Sequence, residues 1–214
     1  LVESGGRIAG VSIGGSLISG TNTGSGSLTN SASILAGDDI GFLVVKGSLV
    51  GNLSSTGKLT PVVISARGQA KQGDTTDLAI GKIQVGGRVE FANILAGYDL
   101  SGSPVNGDAQ IGAVTVGGDW AASNLIAGVK DVNGNGFGNA DDRSIGQGNV
   151  DITASIASVS IGGSVLGTPA SVSNTDRFGF EAQQIGAIKI RGIAVPLHAG
   201  KGNDVFGLGV TGDL

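Results

Sequence analysis

The sequence contains no cysteine and no methionine, and only one tryptophan, one tyrosine and one histidine in 214 residues. The lack of cysteine removes disulfides as a source of stability, although it does not by itself fix a compartment. Aromatic residues make up 4%, so a core has to be assembled from Val, Ile, Leu and Ala. Charged residues are scarce at 14%, with a net charge of −4, and there is no cluster of Lys and Arg of the kind that phosphate backbones require. Nucleic acid is therefore excluded as a partner. No basic amphipathic stretch and no run of about 20 apolar residues is present, so no membrane insertion is expected in this segment. A Ser-His-Asp arrangement would depend on His198 alone, and no G-x-S-x-G turn occurs. With Leu1 first and no signal-peptide pattern, the sequence is expected to be a processed or excised piece.

Glycine is abundant: 41 residues, about a fifth of the chain against a usual ~7%. Collagen is excluded, because there is no Gly-X-Y period and proline occurs only four times. Disorder does not fit the recurring β-branched runs. Glycine at fixed places in a repeat does fit.

One pattern, Ile-x-x-Φ-x-Φ-x-Gly-x-Φ with Φ aliphatic, occurs six times. The copies are Ile8-Val11-Ile13-Gly15-Leu17, Ile40-Leu43-Val45-Gly47-Leu49, Ile80-Ile83-Val85-Gly87-Val89, Ile111-Val114-Val116-Gly118-Trp120, Ile156-Val159-Ile161-Gly163-Val165 and Ile185-Ile188-Ile190-Gly192, the last ending on Ala194. The Φ-x-Φ step has the period of a strand, with Ser12, Gln84, Thr115, Ser160 and Lys189 turned to solvent. Gly-Gly pairs such as Gly86-Gly87 end the strand. A second strand closes on Ala-Gly at Ser33–Gly37, Asn93–Gly97 and Asn124–Gly128.

Copies begin at residues 8, 40, 80, 111, 156 and 185, which gives a unit of about thirty residues with two long gaps. Val62-Val63-Ile64 in the first long gap reads as an extra partial strand. Short strands without helical periodicity predict an all-β chain, a parallel β-helix (β-solenoid) of about six to seven irregular coils with loop insertions. At about 4.8 Å per coil the rod would be roughly 30 Å long. Residues 1–197 form the repeat domain, interrupted by an insertion at 129–146, and 198–214 a C-terminal cap, joint or turn. A β-sandwich or propeller is the alternative, disfavoured by uneven loops and few aromatics.

The longest gap contains Asp131-Val-Asn133-Gly-Asn135-Gly136-Phe137-Gly-Asn139-Ala-Asp141-Asp142. Oxygen-bearing side chains at Asp131, Asn133 and Asn135, a turn glycine at Gly136, a backbone carbonyl at Phe137, then Asn139 and Asp142, follow the spacing of a twelve-residue Ca2+ loop. Asp141 is a weaker candidate. The loop resembles those of dockerins, which also end on Asp. It departs in having Asn at two ligand positions, which lowers its charge, and in having no helix after it. A plain Asn/Gly-rich turn is the alternative. Ala199-Gly200-Lys201-Gly202-Asn203-Asp204-Val205-Phe206 resembles a single RTX calcium nonapeptide, with Asp204 as the weaker ligand. Asp38-Asp39 and Asp99 follow Ala-Gly ends and suggest either solvated acidic turns or a shared acidic corner. Arg67, Lys82, Arg88, Lys189 and Arg191 suggest a basic strip if coils stack in register. Trp120, at an otherwise aliphatic position, is expected to fill a wide part of the core.

Taken together, the I-G-x-V-x-V-G-G segments, the I-x-A-G ends and the D-V-N-G-N-G loop resemble the repeat-containing extracellular surface proteins and adhesins of environmental bacteria, including planctomycete-like species. The similarity spans roughly residues 8–194. It implies an extracellular or cell-surface setting, Ca2+-stiffened coils, and a structural or adhesive role in attachment, fibres or filaments rather than catalysis. End-to-end self-association through terminal coils and contact with a surface glycan are the partners it suggests. A carbohydrate-binding or polysaccharide-cleaving module is the rival expectation.

Overall fold

The structure, a computed structural model, describes residues 1–24, 28–55, 57–167 and 178–202. Among these the chain is all-β, with no helix. Its strands form three main sheets, of six, eight and five strands, which the chain visits in turn. Ser33–Ala36 lies in the six-stranded sheet, Ile40–Val45 in the eight-stranded sheet and Leu49–Val50 in the five-stranded sheet. The cycle then repeats with Val62–Ala66, Leu78–Val85 and Val89–Glu90, and again with Ala92–Ala96, Gln110–Val116 and Trp120–Ala121. Each return places the new strand parallel to, and beside, its counterpart one repeat earlier. The expected all-β class and the largely parallel pairing hold.

Register converts the repeat into columns. Ile8, Ile40, Ile80, Ile111 and Ile156 follow one another across the eight-stranded sheet. Leu43, Ile83, Val114 and Val159 form a second column, and Val45, Val85, Val116 and Ile161 a third. All of these except the terminal Ile8 are at most 1% exposed. Ile34, Ile64, Ile94 and Leu125 line the six-stranded sheet in the same way, with an alanine column at Ala36, Ala66, Ala96 and Ala127. The residues between them, Ser12, Gln84, Thr115, Ser160 and Lys189, are exposed and in register through Val44, as the strand period requires. Trp120 sits in the five-stranded sheet between Val89 and Val165. It is 2% exposed, its Nε1 donates to the Ser123 carbonyl at 3.0 Å, and its ring meets Phe180 edge-on at 5.1 Å. It is a core residue.

Three readings from the sequence need correction. Val62–Ala66 is not an extra partial strand: it is the regular six-stranded-sheet member, paired with Ser33–Ala36 on one side and Ala92–Ala96 on the other. The additional length of that repeat lies in the antiparallel ribbon Asn52–Leu53 and Leu59–Thr60 and in residues 67–77. Nor is there a basic strip. Lys82 pairs with Phe42 and Ala113, Lys189 stands in the next outward column beside Ser160, and Arg88 is held by Glu90 at 2.7 Å. The acidic residues follow one register column, Ala36, Ala66, Ala96 and Ala127, but Asp39 and Asp99 are engaged separately. Asp39 is paired with Arg7 at 3.0 Å, while Asp99 accepts hydrogen bonds from the Ser101 hydroxyl and the Ser101 and Ser103 amides. These bonds, the Ser101 hydroxyl first, hold the Asp99 carboxyl below its ordinary range.

Candidate functional site

The inserted segment is the tip of a two-stranded antiparallel ribbon, Val129–Lys130 with Arg143–Ser144. The ribbon leaves the six-stranded sheet after Ala127, through Gly128 in a left-handed conformation (φ +67°). A small apolar cluster of Leu95, Tyr98, Ile126, Val129 and Ile145 roots it, and the Phe137 ring packs against that cluster. The Tyr98 hydroxyl donates to the Val129 carbonyl at 2.8 Å. Burial, joined by the nearby carboxylates Asp131, Asp142 and Glu181, pushes that hydroxyl far above its usual pKa. The loop is thus carried on a packed base.

Within the loop, the Asp131 carboxylate accepts from the backbone N–H of Asn133 (3.1 Å), Gly134 (2.7 Å) and Gly136 (2.6 Å). Burial works against its ionisation, but these amides outweigh it and hold its pKa below the ordinary carboxylate value. Gly134, Gly136 and Gly138 all have positive φ (69°, 100° and 94°), which lets the chain wrap around that carboxylate. Asn133 donates to Asp141 Oδ2 at 2.7 Å, and Asn139 to Asn135 Oδ1 at 3.0 Å and to the Gly136 carbonyl at 2.8 Å. Asp142 Oδ2 accepts from the amides of Gly138 and Asn139, both at 2.9 Å. The segment therefore brings Asp131, Asn133, Asn135, Phe137, Asn139, Asp141 and Asp142 into one closed turn. Asp204 lies outside the described residues.

The motif did not include Glu181. It lies on Phe180–Glu181, paired with Leu125–Ile126, and its Oε1 accepts from the Gly138 N–H at 2.5 Å. A fourth carboxylate, from a later repeat, thus closes over the loop. Burial first, and then the charges of Asp142 and Asp131, raise its pKa to about 7. The other oxygen of Asp142, Oδ1, is buried and has no hydrogen-bond partner. Among the described residues no three His, Asp or Glu side chains are gathered tightly enough to form a metal cage as they stand, since the carboxylates turn to backbone amides instead. An orphaned carboxylate oxygen beside a carboxyl group forced towards neutrality is nevertheless the mark of oxygen ligands short of positive charge, and the set fits a hard cation. No sequence signal marks Glu181, which is 39 residues beyond Asp142 and outside the spacing of any one loop.

A shallow groove of about 420 Å³ lies where strands Gln110–Val116 and Ser155–Ile161 of the eight-stranded sheet begin, lined by Thr75, Gln110, Asp151, Thr153, Ser155 and Gln184 among others. It contains one carboxylate, whereas hydrolysis of a glycosidic bond by the common route uses two. Comparison with protein-family models, curated proteins and solved structures finds no match to this chain.

Proposed function

We propose that the chain is a parallel β-helix (β-solenoid) of about six to seven irregular coils, acting as a non-enzymatic structural or adhesive module of an extracellular or cell-surface protein and stiffened by Ca2+. The observation that carries this reading is that Glu181, from a later repeat, meets the same Gly138 amide as Asp142, whose Oδ1 is buried without a donor. In this reading Ca2+ is held by the side chains of Asp131, Asn133, Asn135 and Asp142 and by the Phe137 carbonyl, with Glu181 as the added ligand. Asn139 and Asp141 support the turn. The ion supplies positive charge that the site otherwise lacks, and it ties the ribbon at 129–144 to the strand Phe180–Glu181. That link braces neighbouring coils against bending, which suits a spacer, fibre or filament element better than an active site. Unpaired strand edges at the N-terminal coil supply a surface for end-to-end association.

The test is a thermal melt with and without a calcium chelator, run beside a sizing assay. A higher melting temperature with Ca2+, lost in Asp142→Asn, is expected. Melting and assembly indifferent to the chelator would remove the stiffening role. A discrete monomer that cleaves a glycan would overturn the structural assignment as a whole.

A further inference from the structure

A second group of carboxylates lies away from the inserted loop, at the corner where the chain enters the eight-stranded sheet. Asp77 and Asp108 come from successive repeats, just ahead of Leu78–Val85 and Gln110–Val116, whose register begins at Leu78 and Gln110. Each is 1% exposed. Fully buried Asp is rare, and when it occurs it has a partner of opposite charge or a metal. Here the nearest polar groups are neutral. Asp77 Oδ1 accepts from the Gln69 amide at 2.5 Å, and Oδ2 from Asn106 Nδ2 at 2.7 Å. Asp108 Oδ2 accepts from Gln72 Nε2 at 3.2 Å and the Asn149 amide at 2.7 Å. Asp108 Oδ1 is buried with no partner. Asp108 is the charged neighbour that acts on Asp77, and no Lys or Arg is among the groups acting on it. The ion pairs Arg7–Asp39 and Arg88–Glu90 lie elsewhere.

The surrounding backbone makes room for these oxygens. Gly68 (φ +144°) and Gly148 (φ +126°) pass directly against them. A Cβ at Gly68 would meet the Asn106 Nδ2 that donates to Asp77, and would stand 2.6 Å from Asp77 Oδ2. One at Gly148 would stand 2.9 Å from Asp108 Oδ1 and 3.1 Å from Asn106 Oδ1. Any side chain at either position would fill the cradle. The orphan oxygen, the second carboxylate and the Asn106 carbonyl oxygen form a hard, oxygen-rich donor set enclosed by glycine backbone. Burial first, and then the neighbouring Asp108, raises the Asp77 pKa, which shows how poorly two negative charges fit here. Two buried carboxylates with no cationic side chain beside them leave negative charge that a divalent cation would neutralise.

We propose that Asp77, Asp108 and Asn106 form a second divalent-cation site, suited to Ca2+, that clamps two successive coils at this corner independently of the inserted loop. The measurement is equilibrium dialysis against Ca2+ alone, in a background carrying Asp131→Asn, Asp142→Asn and Glu181→Gln so that the inserted loop has lost its charged ligands. That background is expected to retain about one Ca2+ per chain and to melt at a higher temperature with Ca2+ than with chelator. Adding Asp108→Asn removes both the bound ion and the Ca2+-dependent shift. In chelator the same change leaves the melting temperature equal or higher, because it relieves the repulsion of two buried carboxylates. Should Asp108→Asn fail to fold, Asp77→Asn in the same background provides the same comparison. No Ca2+ retained by the loop-disabled background would overturn the second site while leaving the inserted loop untouched. Ca2+ retained undiminished in both corner variants would overturn it equally.

Discussion

At Asp142 the two carboxylate oxygens meet different surroundings: Oδ2 takes two backbone amides, and Oδ1 is buried without a donor. Beside it, burial and then the charge of Asp142 oppose the ionisation of Glu181, whose pKa is raised to about 7 from 4.5. For a carboxyl group whose folded pKa is raised, the stabilising protonation is complete below the unfolded value and is lost as pH climbs through the folded one. In chelator, the melting temperature is therefore expected to fall as pH rises from about 4.5 to about 7, and Glu181→Gln is expected to flatten that slope. A wild-type profile already flat in this window would contradict the assigned surroundings of Glu181. Trp120 poses a packing question. Its indole is buried, hydrogen-bonded and in edge contact with Phe180, so Trp120→Ala is expected to cost about 3–5 kcal/mol in urea denaturation, with Trp120→Phe costing less. A loss below about 1 kcal/mol would place the ring outside the core.

At the level of strands, glycine sets how closely repeats approach. Gly41, Gly81 and Gly112 follow the column isoleucines, and a Cβ on each would run into the carbonyl oxygen of the repeat before it, at Ala9, Gly41 and Gly81 respectively. Gly86, Gly117 and Gly162 repeat this at the strand ends, against Lys46, Gly86 and Gly117. At the adjoining corner, side-chain oxygens reach across repeats: Ser16 accepts from the Ser48 amide, Ser48 from the Arg88 amide and Asp119 from the Ser164 amide. Gly81→Ala is therefore expected to destabilise by about 1–3 kcal/mol, because the obstruction is backbone and cannot swing aside. Gly14→Ala, with nothing within 4 Å of the new methyl, is expected to stay within about 0.5 kcal/mol of wild type. Equal effects at the two positions, measured by denaturant midpoint, would show that close approach is not what the glycines provide. Some corners do without glycine. Ala32, Phe91 and Ala122 adopt φ of 54°, 51° and 43° where the chain turns into the six-stranded sheet, a strain that the packed strands on either side must hold.

For the molecule as a whole, the two ends differ. Among the described residues, strands Val2–Ser4, Val11–Ile13 and Leu17–Ile18 each pair on one side only, and Ile8, Val11, Ile13 and Leu17 are partly buried where their interior counterparts are sealed. At the other end the chain folds Ile193–Ala194 back antiparallel to Ile188–Ile190, and Val195 and Leu197 pack on the core. Association is therefore expected to use the N-terminal face, where Val2 and Ile18 are 47% and 61% exposed. Sedimentation of wild type is expected to show concentration-dependent assembly, and Val2→Lys with Ile18→Lys to abolish it. Wild type that remains monomeric at the highest attainable concentration would exclude this face as a joint.

The sequence alone determined the repeat, and with it the strands and the inward columns, because those depend on local period: alternating aliphatics with glycine at fixed offsets have few other ways to bury themselves. It also marked Asp131 to Asp142 as one turn, since side chains that hydrogen-bond within twelve residues of one another carry their geometry in their spacing. Glu181 closing on that loop, Asp77 meeting Asp108, and Val62–Ala66 taking its place as a regular strand were decided by tertiary structure. Each depends on which residue of one repeat lands beside which residue of the next. Unequal insertions between repeats shift that register in ways no single stretch of sequence records.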